Sequence, residues 1–166
     1  MEDLIKKISS YNLFNYLFPG IVFVVLAEII TSYSFLYEDI ILGIFIYYFI
    51  GLSVSRFGSL VIEPLLKKTS FVKFVEYKKY LLATKKDKDI EILSEINNVY
   101  RTISSVFVLL VVLKIYSLLE SKFLFLHEFG VYILGILLLI MFFYSYKKQT
   151  KYIKDRVLHT LKKEEN

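Results

Sequence analysis

The residues able to do chemistry in this chain are few, and most of them sit inside or beside long apolar runs. Glu28 and Lys114 each interrupt such a run, where an ionisable group costs on the order of 3 kcal/mol unless it finds a partner or water. Measured from the same end of their segments, their depths differ by only roughly 5 Å at the rise of a helix. The spacing therefore predicts either a buried Glu28–Lys114 pair that sets the docking of two helices, or a titrating, pore-lining Glu28. Arg56, Glu63 and Arg101 form a second set near the ends of their apolar runs, where long cationic side chains reach toward a membrane surface. They read as a structural network of Arg56 or Arg101 with Glu63, or as an anion-binding or gating cluster at a junction.

A third set mixes lysines with aromatic rings. Lysines between Lys67 and Lys88 and in the tail after Tyr146 are interleaved with Tyr77, Tyr80, Tyr100 and Tyr152. Orientation signals and anionic-lipid contacts are the simple reading, while a nucleic-acid, nucleotide or protein partner is the functional one. The two histidines do not extend these sets: His159 lies three residues after Arg156, and His127 sits in a connecting turn. There is no Gly-rich phosphate loop, nucleophile–base–acid set or metal-ligand cluster, so the expectation is a non-enzymatic protein with no metal and no cofactor. The absence of cysteine removes thiolate chemistry and disulfides.

The elements that must position these residues are set by hydropathy. With mean hydropathy +0.55 over 166 residues and 17% aromatic residues, the chain is too apolar for a soluble domain of this size. Four apolar segments, 19–36, 40–62, 102–119 and 129–146, predict four membrane-spanning helices. Apolar Leu4, Ile8, Tyr11, Phe14 and Phe18 recur at helical spacing before Pro19, predicting a short helix lying on the membrane surface. One long helix kinked at Pro19 is the alternative. The acidic pair Glu38–Asp39 marks a tight turn between the first two spans, and Pro64 is expected to end the second.

Segment 63–101 is too polar to span and too patterned to be disordered. Phe71, Phe74, Val75, Leu81 and Leu82 predict one short amphipathic helix, and Ile92, Leu93, Ile96, Val99 and Tyr100 another, with Asp89 capping the second. The second runs on without a breaker into the third span, and the tail 147–166 keeps Ile153, Val157 and Leu161 at four-residue spacing, as a basic helix does. The predicted organisation is thus 1–62 (surface helix and two spans), 63–101 (helical hairpin), 102–146 (two spans) and 147–166 (basic tail helix). Gly51, Ser55 and Gly58 fall on one narrow arc of the second span, a small-residue stripe that lets another helix approach closely.

Nearly all basic residues fall in three blocks, Lys6–Lys7, Arg56 to Arg101 and Lys147 to Lys163, which by the positive-inside rule places both termini and the hairpin in the cytoplasm of a bacterial inner membrane. Four short helices with few polar groups enclose no conduit alone, so a homo-oligomer is expected.

Two resemblances carry function. A glutamate in the first of four spans resembles the small multidrug resistance transporters, in which it exchanges protons for cationic substrates; only Glu28 matches, and the long loop, basic tail, missing tryptophan and Lys114 depart from that family. The segments SSYNLFNYLFPG, GLSVSRFGSLVIEPLLKK and INNVYRT together resemble small bacterial membrane proteins of phage-defence loci and membrane accessories of RNA-targeting CRISPR systems. That resemblance implies a membrane effector or regulator that answers a cytoplasmic signal by altering permeability or potential. A scaffold recruiting a cytoplasmic partner is the remaining expectation.

Overall fold

A computed structural model describes residues 10–164, all of whose regular structure is helical. Helix α1 is a continuous rod in three pieces, an α-turn Ser10–Asn12, a π-turn Leu13–Leu17 and an α-helix Phe18–Ile30. Helix α2 repeats the construction: α-helix Ile40–Phe57, π-turn Gly58–Ile62, then α-helix Glu63–Lys68. A short α3, Tyr77–Ala83, precedes the two long helices, α4 over Asp89–Glu120 and α5 over Leu124–Glu164. Four of these are long and apolar enough to cross a membrane, over Leu13–Ile30, Ile40–Lys68, Asp89–Glu120 and Leu124–Leu161.

Both prolines of the chain follow a π-turn in the same register. The amide of Phe18 bonds back to Leu13 and the amide of Glu63 back to Gly58, five residues away, and the next residue is Pro19 or Pro64. Widening the turn ahead of a proline moves the carbonyl that its ring would strike, so the helix continues. This corrects two expectations. Pro19 does not separate a surface helix from the first span, although residues 1–9, where most of that helix was expected, lie outside the described residues. Nor does Pro64 end the second span, which runs to Lys68.

What ends α2 is a reversal centred on Ser70, whose φ of 58° is in the left-handed region. There the amide of Ser70 bonds to the Lys67 carbonyl and that of Phe71 to Leu66, closing the last carbonyls of the helix. Phe71, Phe74 and Val75 consequently lie in an exposed connection and not on the expected amphipathic helix, which is confined to α3. Nor is Asp89 the cap of α4: it is the first residue of that helix, and its amide donates to Asp87 Oδ1 at 2.9 Å. At the other end the first span stops at Ile30, six residues earlier than predicted, and Thr31 to Asp39 form an irregular link. Asp39 opens α2 by accepting from the amides of Ile41 and Leu42.

The bundle core is made by α1, α2 and α4, with α5 alongside. Ala27, Val54, Val106 and Leu110 form its buried apolar centre. One turn away is a buried polar centre, where Asn15, Ser55 and Thr102 are fully enclosed, one from each helix. Thr102 Oγ1 lies 2.8 Å from Asn15 Oδ1 and 3.2 Å from Ser55 Oγ, and the Asn15 amide donates to Ser55 Oγ at 3.2 Å.

The stripe Gly51, Ser55, Gly58 is consumed inside this core. A Cβ built on Gly51 falls on the Tyr16 carbonyl, and one on Gly20 falls on the Tyr47 carbonyl, so α1 and α2 cross with their backbones touching. At Gly58 the added carbon meets Ser105 Oγ of α4. The fourth span, by contrast, has no buried residue within its most apolar window. Phe142 on Phe49, with ring centroids 5.9 Å apart, is among its few core-facing contacts. Overpacking of this kind typically costs 1–3 kcal/mol. Gly51→Ala should therefore lower stability in detergent by about 2 kcal/mol, measured by thermal unfolding. Gly135→Ala, whose added carbon meets nothing within 4 Å inside α5, should not lower the melting temperature and should raise it slightly through helix propensity.

Candidate functional site: a charged junction at the basic end

The site is built where α2, α4 and α5 pass one another at the end of the bundle that carries the α3 connection and the tail. Glu63, the first residue after the π-turn, is buried with its side chain only 9% exposed. Its Oε2 accepts from Arg101 Nη1 of α4 at 2.6 Å. Its Oε1 accepts from Lys67 Nζ, one turn on in α2, at 2.8 Å, and lies 3.7 Å from Lys148 Nζ of α5. One carboxylate thus joins three helices through three cations, the arrangement in which a buried charge is tolerable.

Lys148 has a second hold that follows from Pro64. In the π-turn the next backbone bond would run from residue 64 to the Ser59 carbonyl, but proline has no N–H. Lys148 Nζ takes that place, donating to Ser59 O at 2.8 Å and to Ser59 Oγ at 2.7 Å. The fourth span is thereby latched to the second through an acceptor that exists because of the bulge. Beyond the latch, Tyr152 of α5 carries the ring of Tyr77 of α3, with centroids 5.4 Å apart, and Lys148 lies 5.9 Å above Tyr152. Tyr80 stacks on Tyr77, and Lys67 sits 4.1 Å over Phe74. The peripheral α3 is therefore connected to the junction by rings and cations, while Tyr100 is exposed and apart from them.

The structure brings together Glu63 and Arg101 as the sequence predicts, but not Arg56, which turns the other way and donates from Nη2 to the Tyr16 hydroxyl at 3.1 Å. It also dissolves the expected Glu28–Lys114 pair. With α1 ending at Ile30, Glu28 is in the last turn and not mid-span, and its carboxylate accepts from the Phe35 amide at 2.9 Å and from Ser34 Oγ at 3.2 Å. Lys114 Nζ donates to the Ile30 carbonyl at 2.6 Å, a cation at a helix C-terminus. Each charge closes the end of α1 separately.

At that same end Tyr33 donates to Glu120, which also meets His127 Nδ1 at 3.1 Å. Burial, then the Glu120 contact, pushes the Tyr33 phenol up to about 12, so it stays a donor throughout the physiological range. Among the described residues no group of three or more His, Asp or Glu side chains is placed to hold a metal ion.

Sequence reasoning missed Lys148, Ser59, Asn15 and Thr102. Lys148 was one of many tail lysines, and its only signal is its position just past the end of the apolar run. Asn15 and Thr102 carried a clearer one, as polar residues within otherwise apolar faces. Asn15, Ser55 and Thr102 lie one in each of the segments SSYNLFNYLFPG, GLSVSRFGSLVIEPLLKK and INNVYRT.

Comparison with protein-family models, with curated proteins and with solved structures finds no match for the chain. Fold and site define an all-helical, multi-pass type of chain with four candidate membrane spans and a charged junction at one end.

Removing one partner of a buried ion pair typically costs 3–5 kcal/mol. Glu63→Ala, which strands Arg101 and Lys148, should accordingly lower stability by about 3 kcal/mol in a thermal or denaturant unfolding series. Lys67→Ala removes a cation that is 42% exposed and should cost at most about 0.5 kcal/mol.

Proposed function

We propose that this chain is a non-enzymatic effector or accessory of the bacterial inner membrane, homo-oligomeric, that answers a cytoplasmic signal by changing how its spans pack and hence membrane permeability or potential. The observation that carries this reading is the Lys148 latch. A single ammonium holds α5 to the π-turn of α2 and to Glu63. Four residues later on α5, Tyr152 carries the ring of α3. A ligand or partner that pulls on α3 or on the basic tail acts on the residue holding the fourth span. At 1.5 Å per residue the 41 residues of α5 reach about 60 Å, twice a hydrocarbon core of about 30 Å, so half the helix is available as a lever outside it. Bulges of this type recur at functional sites because they re-aim carbonyls without breaking a helix.

In this reading the basic residues of α3 and the tail face the cytoplasm, and anti-phage defence is the setting that the segment resemblance implies. The exposed apolar face of α5 is available to lipid or to another copy, and a conduit forms only between copies. The effector reading is preferred to the transporter one because Glu28 lies in the last turn of α1 and accepts from the Phe35 amide and Ser34 Oγ.

The test is to weaken the latch without a trigger. In a bacterial host, Lys148→Gln should depolarise the membrane or arrest growth at expression levels where the parent chain does not, as read by a potential-sensitive dye. Membrane fractionation should show both proteins at equal abundance. An intact potential in cells carrying Lys148→Gln and also Lys148→Glu, with the protein in the membrane, would overturn the effector reading in favour of a scaffold.

A further inference from the structure

Arg56 is the cation that the junction leaves over. Glu63 is engaged by Arg101, Lys67 and Lys148, and among the described residues no carboxylate pairs with Arg56. Among the described residues its hydrogen bond goes to a neutral phenol, that of Tyr16. Its Nε is buried with no acceptor, and so is the Nε of Arg101. A guanidinium is not able to shed its charge, so a half-buried one without an anion calls for one.

The groups around Arg56 are donors too. Tyr11 Oη accepts from the amides of Asn15 at 3.2 Å and Asn98 at 3.3 Å, which occupies its lone pairs and leaves its proton to give. Burial raises the Tyr11 phenol above its ordinary value, against the pull of Arg101 and Arg56 nearby, so that proton is retained. Tyr16, packed edge-on between Tyr11 and Tyr48, accepts from Arg56 and has its own proton as well. Beside them, Leu13, Phe14 and Phe18 of α1 are exposed. A cluster of donors next to an apolar helix face matches an amphiphile with an anionic head.

We infer that Arg56, with the Tyr11 and Tyr16 hydroxyls, forms a phosphate-binding site at the membrane surface, which the headgroup of an anionic phospholipid occupies while its acyl chains lie on Leu13, Phe14 and Phe18. Phosphate suits the site because a guanidinium donates two parallel N–H bonds to it, and its remaining oxygens accept from the phenols. The inference needs the helices to lie in a bilayer and does not depend on the latch. A lipid seated here bears on the first two helices where α1 and α2 touch at Tyr16 and Gly51.

The test is native mass spectrometry of the purified, delipidated chain titrated with phosphatidylglycerol, phosphatidylcholine or inorganic phosphate. The parent chain should hold phosphatidylglycerol at least five-fold more tightly than phosphatidylcholine. Arg56→Gln should abolish that preference, Arg56→Lys should retain part of it, and the exposed tail change Lys154→Gln should leave it unchanged. Competition by inorganic phosphate at millimolar concentration marks the phosphate as the recognised group; phosphatidylglycerol binding that inorganic phosphate does not weaken counts against a phosphate site. Equal lipid preference in Arg56→Gln and the parent, or an equal loss in Lys154→Gln, would overturn the site in favour of diffuse electrostatics. If Arg56→Gln does not fold, Arg56→Lys with an unchanged melting temperature and an unweakened preference overturns it as well.

Discussion

The hydrogen-bonded meeting of Asn15, Ser55 and Thr102 is the constraint on which the rest of the bundle depends. Between helices in a membrane there is little hydrophobic driving force, because lipid tails are as apolar as leucine side chains, so register comes from close backbone approach and from buried polar groups that must find each other. Here both act at the same level. Gly20 and Gly51 let α1 and α2 touch, and the triad then fixes α4 against both, with Thr102 sharing its hydroxyl between the Asn15 side chain and the Asn98 carbonyl. A slide of α4 breaks the bonds of Thr102 to Asn15 and Ser55 and leaves the Asn15 carbonyl oxygen buried without that donor, a cost that opposes any change of register. The Glu63–Arg101 bond and the Lys114 contact with the end of α1 both follow from that register.

The two prolines show how one backbone irregularity supplies both shape and chemistry. Each is preceded by a π-turn that lets the helix pass it. The first places the fully buried Asn15 within its widened turn. The second frees the Ser59 carbonyl, and this acceptor gives α5 its polar attachment through Lys148. The fourth span is otherwise apolar and exposed, so its position is set by very few contacts. Rearrangement is easiest for an element held in this way, which is why the proposed function rests on the latch and not on the core triad.

The opposite end behaves differently. Glu28, Lys114, Glu120, His127 and Tyr33 all serve local closure: two of them finish α1, and the others tie the link before α2 to the α4–α5 turn. Charges that looked expensive in an apolar run turn out to sit at helix ends, where backbone groups need partners anyway. A charge placed mid-span by counting residues assumes that helix and apolar run end together, and at Ile30 they do not.

The sequence by itself determined the number and polarity of the long helices, because apolar runs of about 20 residues have few other solutions and α4 contains no breaker. It also determined the small-residue stripe of α2 through helical spacing, and that Glu63 would meet an arginine, while leaving Arg56 and Arg101 both open as its partner. Only the tertiary structure decided which neighbour each group meets. Gly51 faces α1 and Gly58 faces α4 because the stripe turns between two helices. Arg56 leaves Glu63 for Tyr16, since a residue seven positions away is on a similar face only in an unbroken α-helix, and a π-turn lies between them. Lys148 becomes the latch for the same reason: the acceptor it binds is created by Pro64, 84 positions away, and by the helix packing that brings α5 beside it.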